Sequence, residues 1–474
     1  MRPPALACAS GLRRLLGTIV LAMQFAGCAG VSAPRETAGP TQRAEAVCEA
    51  QAASAWWTSL GDPQLDALVD DAMAGNADLA QATARLEQAR ALYDEAQAGR
   101  RPRLDAGVFA ARERVPRTDD RAEDGTRVAV PPYRQSRLSA RLEAGYEVDL
   151  LGRLREAARS ADAQRVASAC DLAALRRWVA REVVLAYSDL QLAEAGSQAN
   201  AQAQALAGEL ESAQAARLQA GTVTQASRRE AAREVLALRD EAADLVRQRQ
   251  RAHARIAVLA GGRPGLPPLH AMAGHLERAE RLSSGLPAAL GLADAGARPD
   301  VAAAWMRVTA AAAQAQQVRL ERYPTLTLSG SAGYLSDALR RWLKGEALAW
   351  VAEAALSMPV LDGGRADARQ RAALAVLAQE QAAYRATLLQ AAADLGTALA
   401  ELDAGMARVE LARRHMQLAE ADHAALRAQL RAGLASRPAA LQAQRDAVDA
   451  AWSLQQQRHA LLAAWVGAQQ ALGR

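Results

Sequence analysis

The chain repeats itself over a length too great for a local motif, and this constrains its fold more than any composition value does. "ADLAQATARLEQARALYDEAQAGRRPRL" (77–104) aligns with "PDVAAAWMRVTAAAAQAQQVRLERYPTL" (299–326) at an offset of 222, placing Asp78, Arg85, Ala89 and Pro102 on Asp300, Arg307, Ala311 and Pro324. Downstream, Gly152-Arg153 falls on Gly364-Arg365, and Leu218-x-x-Gly221 on Leu430-x-x-Gly433, at an offset of 212. The change of offset leaves ten extra residues in the first copy. They fall within "RERVPRTDDRAEDGTRVAVPP" (112–132), a polar segment bearing Pro and Gly that reads as a surface loop.

Each copy follows one plan. A helical stretch (about 62–101; 298–322) stops just before a proline, whose ring disfavours helix in the residue preceding it. The hydrophobic period then changes to two. In "RLSARLEAGYEVDL" (137–150), Leu138, Ala140, Leu142, Ala144, Tyr146, Val148 and Leu150 alternate with Arg, Ser, Glu, Gly and Asp, which predicts a strand with one apolar face. "RLDAGVFA" (103–110) is its partner, and 325–334 with 348–358 repeat the pair in the second copy. The segments approach the 9–11 residues of a membrane-spanning strand, and their polar faces carry charge suited to a wet lumen. Four strands cannot close a barrel, and open edges are not tolerated in lipid. If these strands cross a membrane, several chains must share one barrel.

A very long helix follows each hairpin. From Arg153 to Ala220 there is no proline, and Leu172, Leu175, Val179, Val183, Ala186 and Leu190 step by three and four as a packed stripe. Such a run spans roughly 100 Å at 1.5 Å per residue, and 366–432 repeats it. After each glycine a second helix (222–260; 434–472) returns for only about 58 Å. It cannot cover the long helix alone, but the helix at 62–101 could stack end to end with it. Two half-helices beside one full helix, twice per chain, describe a coiled-coil cylinder wall. Glycine at each turn fits a left-handed helix stop.

Composition supports small-residue helix packing: hydrophobic residues are 51% but aromatics only 4%. A net charge of +5 with arginines scattered among acids gives no basic, aromatic-bearing surface for nucleic acid. At the N-terminus, Arg13 and Arg14 precede the apolar run "LLGTIVLAMQFAG", too short to span a membrane and shaped like a secretory signal. "FAGC" ending at Cys28 resembles a bacterial lipobox, with Phe25 where Leu is usual, so Cys28 is the expected lipidation site. Ala29 favours export to the outer membrane. Cys48 and Cys170 form no CxxC and read as lone small apolar residues, with a disulfide between them left open.

The ordered set of features resembles the outer-membrane efflux protein family, the TolC-type exit ducts, and within it the lipoprotein branch of OprM- and NodT-like proteins. The match is carried by Trp56, Trp57, Asp62, Pro63, Leu65, Leu68, Asn76, Leu79, Ala82, Arg85 and Arg90 in "WWTSLGDPQLDALVDDAMAGNADLAQATARLEQAR". It continues through "RPDV" (298–301), "YPTLTLSGSAGY", "PVLDGGR" (359–365) and both Leu-x-x-Gly turns, over residues 55 to 474. The resemblance implies an α+β membrane protein: a long α-helical coiled-coil barrel, with four transmembrane β-strands per chain contributing to a shared trimeric 12-stranded β-barrel, and an internal structural repeat. It implies a homotrimer in the outer membrane of a Gram-negative bacterium, lipid-anchored, with a long periplasmic part. Its partners would be a periplasmic adaptor (membrane fusion) protein and an inner-membrane transporter of the resistance–nodulation–division type. The helix-turn tips are then the adaptor contacts: Leu218, Gly221, Thr222 and Thr224 in the first copy, and Leu430, Gly433, Leu434 and Ser436 in the second. Where the family carries aspartates after the second turn, "GLASRPAALQAQR" has Ala439, Ala440 and Gln442, with Arg437 and Pro438 in the turn. A periplasmic gate is therefore expected to rest on Arg437, Gln442 and helix packing instead of an acidic ring.

The expected organisation is a lipoprotein signal peptide (1–27), an N-terminal anchor (28–60), repeat 1 (61–261), an equatorial linker (262–297) and repeat 2 (298–474). No enzyme, cofactor or metal site is expected. The six histidines have no ligand spacing, "GGRPG" (261–265) lacks the Lys-Ser/Thr of a phosphate loop, and no nucleophile–base set stands out. The competing reading is a lipid-anchored periplasmic coiled-coil adaptor without a pore. The alternating strands of membrane length argue against it.

Overall fold

The computed structural model describes residues 40–52, 54–116, 118–121, 127–262, 274–283, 285, 296–338, 340 and 344–473. Cys28, expected to be lipidated, and His270 lie outside them. The chain divides into two compact units, Met1–Gln42 and Arg43–Arg474. Almost all described residues belong to the second.

In chain order the helices are α1 (Pro40–Ala52), α2 (Pro63–Gly75), α3 (Ala77–Ala98), α4 (Arg153–Gln219), α5 (Gln225–Leu259), α6 (His275–Ser283), α7 (Pro299–Leu320), α8 (Arg365–Arg431) and α9 (Arg437–Leu472). The strands are β1 (Arg103–Val115), β2 (Thr118–Arg121), β3 (Arg127–Val130), β4 (Tyr133–Val148), β5 (Thr325–Ser336) and β6 (Leu348–Ser357). The expected duplication holds: α4 and α8 are both 67-residue helices, each leaving a hairpin and ending at a glycine turn. No described helix is long and apolar enough to cross a membrane.

The strands form one antiparallel sheet in the order β1-β4-β5-β6. Their register is uninterrupted. Leu104 faces Ala144, Leu142 faces Ala332, and Ala332 faces Trp350, so the apolar residues of all four strands share one side. Arg141, Glu143, Glu147 and Glu353 share the other. The apolar side is uncovered in the single chain: Leu104 is 68% exposed, Val108 75%, Trp350 74% and Leu356 67%. In water such a patch would be a liability, whereas in lipid it is the outer surface of a barrel. The segment 112–132, expected to be a loop, is different. β1 continues to Val115, and β2 pairs with β3 above it, so the ten-residue insertion extends the hairpin.

The helical wall has the layout expected from helix lengths. α3 and α5 lie along α4, while α7 and α9 lie between α4 and α8. Gly196 allows the close approach in the middle of α4, since a Cβ there would sit 2.8 Å from both Leu245 of α5 and Trp452 of α9.

One expectation fails in detail. The stretch 62–101 is not a single helix, because Asn76 ends α2 and begins α3. Its side-chain oxygen accepts from the amides of Asp78 (2.9 Å) and Leu79 (3.1 Å), capping α3. Its amide donates to the Leu259 carbonyl (3.1 Å) at the end of α5. The same residue thus starts one half-helix and receives the other. Asn76→Ala removes a cap and leaves a buried carbonyl unpaired, and about 2–3 kcal/mol of stability should be lost. Denaturant titration of the purified protein measures it, and Asn76→Asp, which keeps the cap but loses the donor, should fall between.

The largest core cluster among the described residues packs at this level, with Leu60, Leu65, Val69, Tyr187, Ile256, Leu461, Leu462 and Trp465 together. Buried Asp62 caps α2 through Gln64 (3.0 Å) and Leu65 (3.2 Å) and accepts from the Tyr187 hydroxyl at 2.8 Å. The linker 262–297 contains a helix, α6, whose Glu277 and Glu280 pair with Arg458 of α9 at 3.1 and 3.4 Å.

The reading of Cys48 and Cys170 as lone residues is corrected. They form a disulfide across 122 residues of sequence, joining α1 to α4. The neighbouring ties explain why the sulfurs meet. Arg165 bonds Glu45 at 2.7 Å, and buried Arg177 donates to Gln51 (2.6 Å) and to the Gln469 carbonyl (2.8 Å). Burial lowers the Arg177 guanidinium to about 10, with Arg298 adding to the effect. The Glu45 carboxyl lies below its ordinary 4.5, chiefly because Arg165 donates a hydrogen bond to it, with burial opposing. A depressed carboxylate contributes stability above its unfolded value and loses it as pH falls through the folded one. Amide exchange in 44–52, corrected for intrinsic rates, should therefore accelerate as pH falls below the ordinary 4.5 of a glutamate and through the lowered Glu45 value, and Glu45→Gln should abolish that acid dependence.

Candidate functional site

Two regions carry the chemistry of a conduit: the helix tips and the polar face of the sheet. Both tips are built from the same backbone device. At the first, Thr222 N–H donates to the Arg217 carbonyl (2.9 Å) and Gly221 N–H to Leu218 (3.0 Å), with Gly221 at φ 68°. At the second, Leu434 N–H donates to Gln429 (2.8 Å) and Gly433 N–H to Leu430 (3.1 Å), with Gly433 at φ 76°. This paired bonding closes a helix on a left-handed residue, which is why glycine stands in both copies. Thr224 and Ser436 then cap the returning helices by accepting from Ser227 (3.3 Å) and Ala439 (3.4 Å).

The tips differ in what remains free. Thr222 spends its hydroxyl on the Arg217 carbonyl at 3.0 Å, and Thr224 spends its own on the cap. Leu434 is 80% exposed and offers a bare apolar side chain. Leu218 and Leu430 are half-buried beneath their turns.

Arg437 and Gln442, expected to act at the gate, do not act together. Arg437 reaches from α9 to Glu209 of α4 at 3.1 Å, linking the two hairpins. Gln442 donates to Asp446 on its own helix at 2.9 Å and links nothing. The second cross-hairpin tie is Arg445, only 14% exposed, which bonds Glu234 of α5 at 3.0 Å and Asp449 at 2.9 Å. Sequence reasoning passed over Arg445 because its partner lies 211 positions away. The available signal was the repeat, since Arg445 falls on Arg233 at the 212 offset. A cleft of about 450 Å³ between α8 and α9 gathers His415, Asp422, Asp446 and Asp449. Asp446 and Asp449 are occupied by Gln442 and Arg445.

On the polar face of the sheet, charge is paired as on a wetted wall. Arg141 meets Glu143 at 2.5 Å, Arg137 meets Glu113 at 3.5 Å, and Arg153 grips Glu147 with both oxygens at 2.8 Å. Helix wall, apolar outer face and charged inner face together define a channel that crosses a membrane on strands and continues on helices.

A family model described as outer membrane efflux protein matches residues 68–262 and 295–474. The chain is 30% identical over 378 residues to the pyoverdine export outer membrane protein OpmQ of Pseudomonas putida, covering 78% of this chain and 76% of that protein. It is 29% identical to the outer membrane protein OprJ of Pseudomonas aeruginosa, over 73% and 71% of the two chains. The solved outer-membrane channel OprN matches with a TM-score of 0.73 and 25% identity, over 88% of this chain and 92% of that one. The chain belongs to the outer membrane efflux protein family. It is an outer-membrane channel of a tripartite efflux system, and its family consists of channel proteins.

Proposed function

We propose that three copies close head to tail into one duct with a twelve-stranded barrel and a helical cylinder below it. The observation that carries this is the asymmetry of the two long helices. α4 is flanked on both sides and buries residues along most of its length, from Ala158 to Ala207, whereas α8 buries only Ala391, Leu395, Ala398, Leu402, Gly405 and Val409. α8 leaves Leu374, Leu389, Leu411 and Leu418 exposed on a helix flanked on one side, while α3 and α5 leave Leu92, Leu236 and Val258 exposed. A head-to-tail contact would join these unlike surfaces, and such contacts make rings when the rotation closes. The same rotation would join the free edges of β1 and β6, which lipid does not tolerate unpaired.

In this reading the six tips receive a periplasmic adaptor, with Leu434 as an apolar anchor at one kind of tip and Thr222 at the other. An inner-membrane transporter of the resistance–nodulation–division type supplies the energy, and lipid at Cys28 anchors the N-terminus. Closure of the mouth rests on Arg437, Arg445 and helix packing. Because Asp446 and Asp449 are engaged by their neighbours, cadmium should block the reconstituted channel only weakly. Membrane fractionation followed by native mass measurement tests the assembly: an outer-membrane trimer is expected, and a soluble periplasmic monomer would sink it.

A further inference from the structure

Three arginines continue the apolar face of the sheet at the end farthest from the helices. The register of β1 against β4 is unbroken, so Arg112 and Arg114 lie on the same side as Leu104 and Val108. Arg134 stands directly opposite Arg114, and Ser136 opposite Arg112. All three arginines are exposed. Among the described residues none has a carboxylate partner, and the acid between them, Glu113, points to the other face and is held by Arg137 at 3.5 Å. Like charges directly opposed across a strand pair are unfavourable. The arrangement therefore leaves a local repulsion that an added anion relieves.

Their height identifies the anion. Along β4 the apolar band runs from Leu138 to Val148, about 33 Å of strand and about 25 Å of height at a 40° tilt, the thickness of a barrel's lipid belt. Arg112 and the Arg114/Arg134 pair lie two and four residues beyond it, about 5 to 10 Å higher. That is the depth of the headgroup layer outside a hydrocarbon core. β5 ends opposite Leu138, and β6 begins lower, opposite Tyr334, so this part of the hairpin stands free of the other strands. Guanidinium forks match phosphate with paired, charge-assisted hydrogen bonds.

We propose that Arg112, Arg114 and Arg134 form a site for the phosphate groups of lipid A, the glycolipid of the outer leaflet. The assignment rests on the duct reading above, which turns the far end of the sheet to the cell exterior. The two phosphates of one lipid A headgroup would neutralise the opposed pair and Arg112, while its acyl chains lie along the apolar face below.

The test is binding to the purified full-length protein in detergent, with bisphosphorylated lipid A, dephosphorylated lipid A and phosphatidylglycerol as probes. R112Q/R114Q/R134Q should weaken binding of bisphosphorylated lipid A at least tenfold, and dephosphorylated lipid A should bind the unaltered protein equally weakly. R137Q removes one such charge from the opposite face and should change nothing. R112K/R114K/R134K, which keeps the charge but loses the paired bonds if the glutamine variant fails to fold, should bind more weakly than the unaltered protein and more tightly than the triple glutamine variant. Equal binding by the triple glutamine variant, equal loss in R137Q, or equal affinity for the dephosphorylated form would overturn the site. Phosphatidylglycerol competing as well as lipid A would overturn the choice of lipid. Channel conductance, recorded in parallel, reports on the duct reading separately: a protein that binds lipid A without conducting would refute the duct and leave the site.

Discussion

A chain carrying Arg437→Glu and Arg445→Glu together is expected to conduct at least about threefold more current than the unaltered channel when reconstituted in planar bilayers. The two residues differ in what they contribute. The Arg437–Glu209 pair has both side chains largely in water and stabilises little by itself. Arg445 is 14% exposed and bonds Glu234 and Asp449 at once, which makes it the stronger tie. Reversal turns both attractions into repulsions between the return helix of one hairpin and the helices of the other. If each chain loses about 1 kcal/mol of closure, a threefold assembly loses about 3, which moves a two-state mouth by a factor of about 100 or more. Compensating reversal of Glu209 and Glu234 to arginine should restore low conductance. A quadruple variant that stays open would show that these pairs do not hold the mouth.

The second large effect concerns the Cys48–Cys170 bridge. Closing a loop of 122 residues removes about 5 kcal/mol of chain entropy from the unfolded state, with 2–4 kcal/mol the usual yield. Replacing both cysteines with serine should lower stability by about that amount, read as a fall in the denaturation midpoint. The loss should concentrate at α1. Glu45–Arg165 and Arg177–Gln51 remain in the variant, but both are polar contacts that exchange with water more readily than a covalent bond. Limited proteolysis should therefore release the N-terminal segment before any cut in α4. An unchanged midpoint and an uncut segment would show that the polar ties suffice.

Much of the architecture could be read from residues because it is written in periodicity. The alternation through Leu138–Leu150 fixed the strand and its outer face, and the proline-free runs fixed the long helices to within a residue or two. The turns were legible because only glycine suits the left-handed closures at 221 and 433. Three features were not legible, each for a physical reason. Helical spacing continues across Asn76, so the break shows only through its cap and its distant bond to Leu259. The cysteines gave no local signal, since their meeting depends on α1 docking onto α4. Arg445 looked like one more surface arginine until its partner on another hairpin came into view. Gln442 had the opposite fate, prominent in sequence but bonded only to its own helix.

The seam at Asn76 has a mechanical consequence. α5 starts at a tip and stops where α3 starts, and α9 likewise ends beside Arg298 at the beginning of α7. Only α4 and α8 run unbroken from tip to strand. A torsion applied at the tips thus has two continuous shafts per chain along which to travel, while the half-helices meet at a joint packed by Ala72, Leu79, Ile256 and Leu259 and tied by Asn76. A twist of the tips against the sheet would therefore load α4 and α8 along their whole length and the half-helices at their joint, much as the sections of a telescoping mast take load at their coupling.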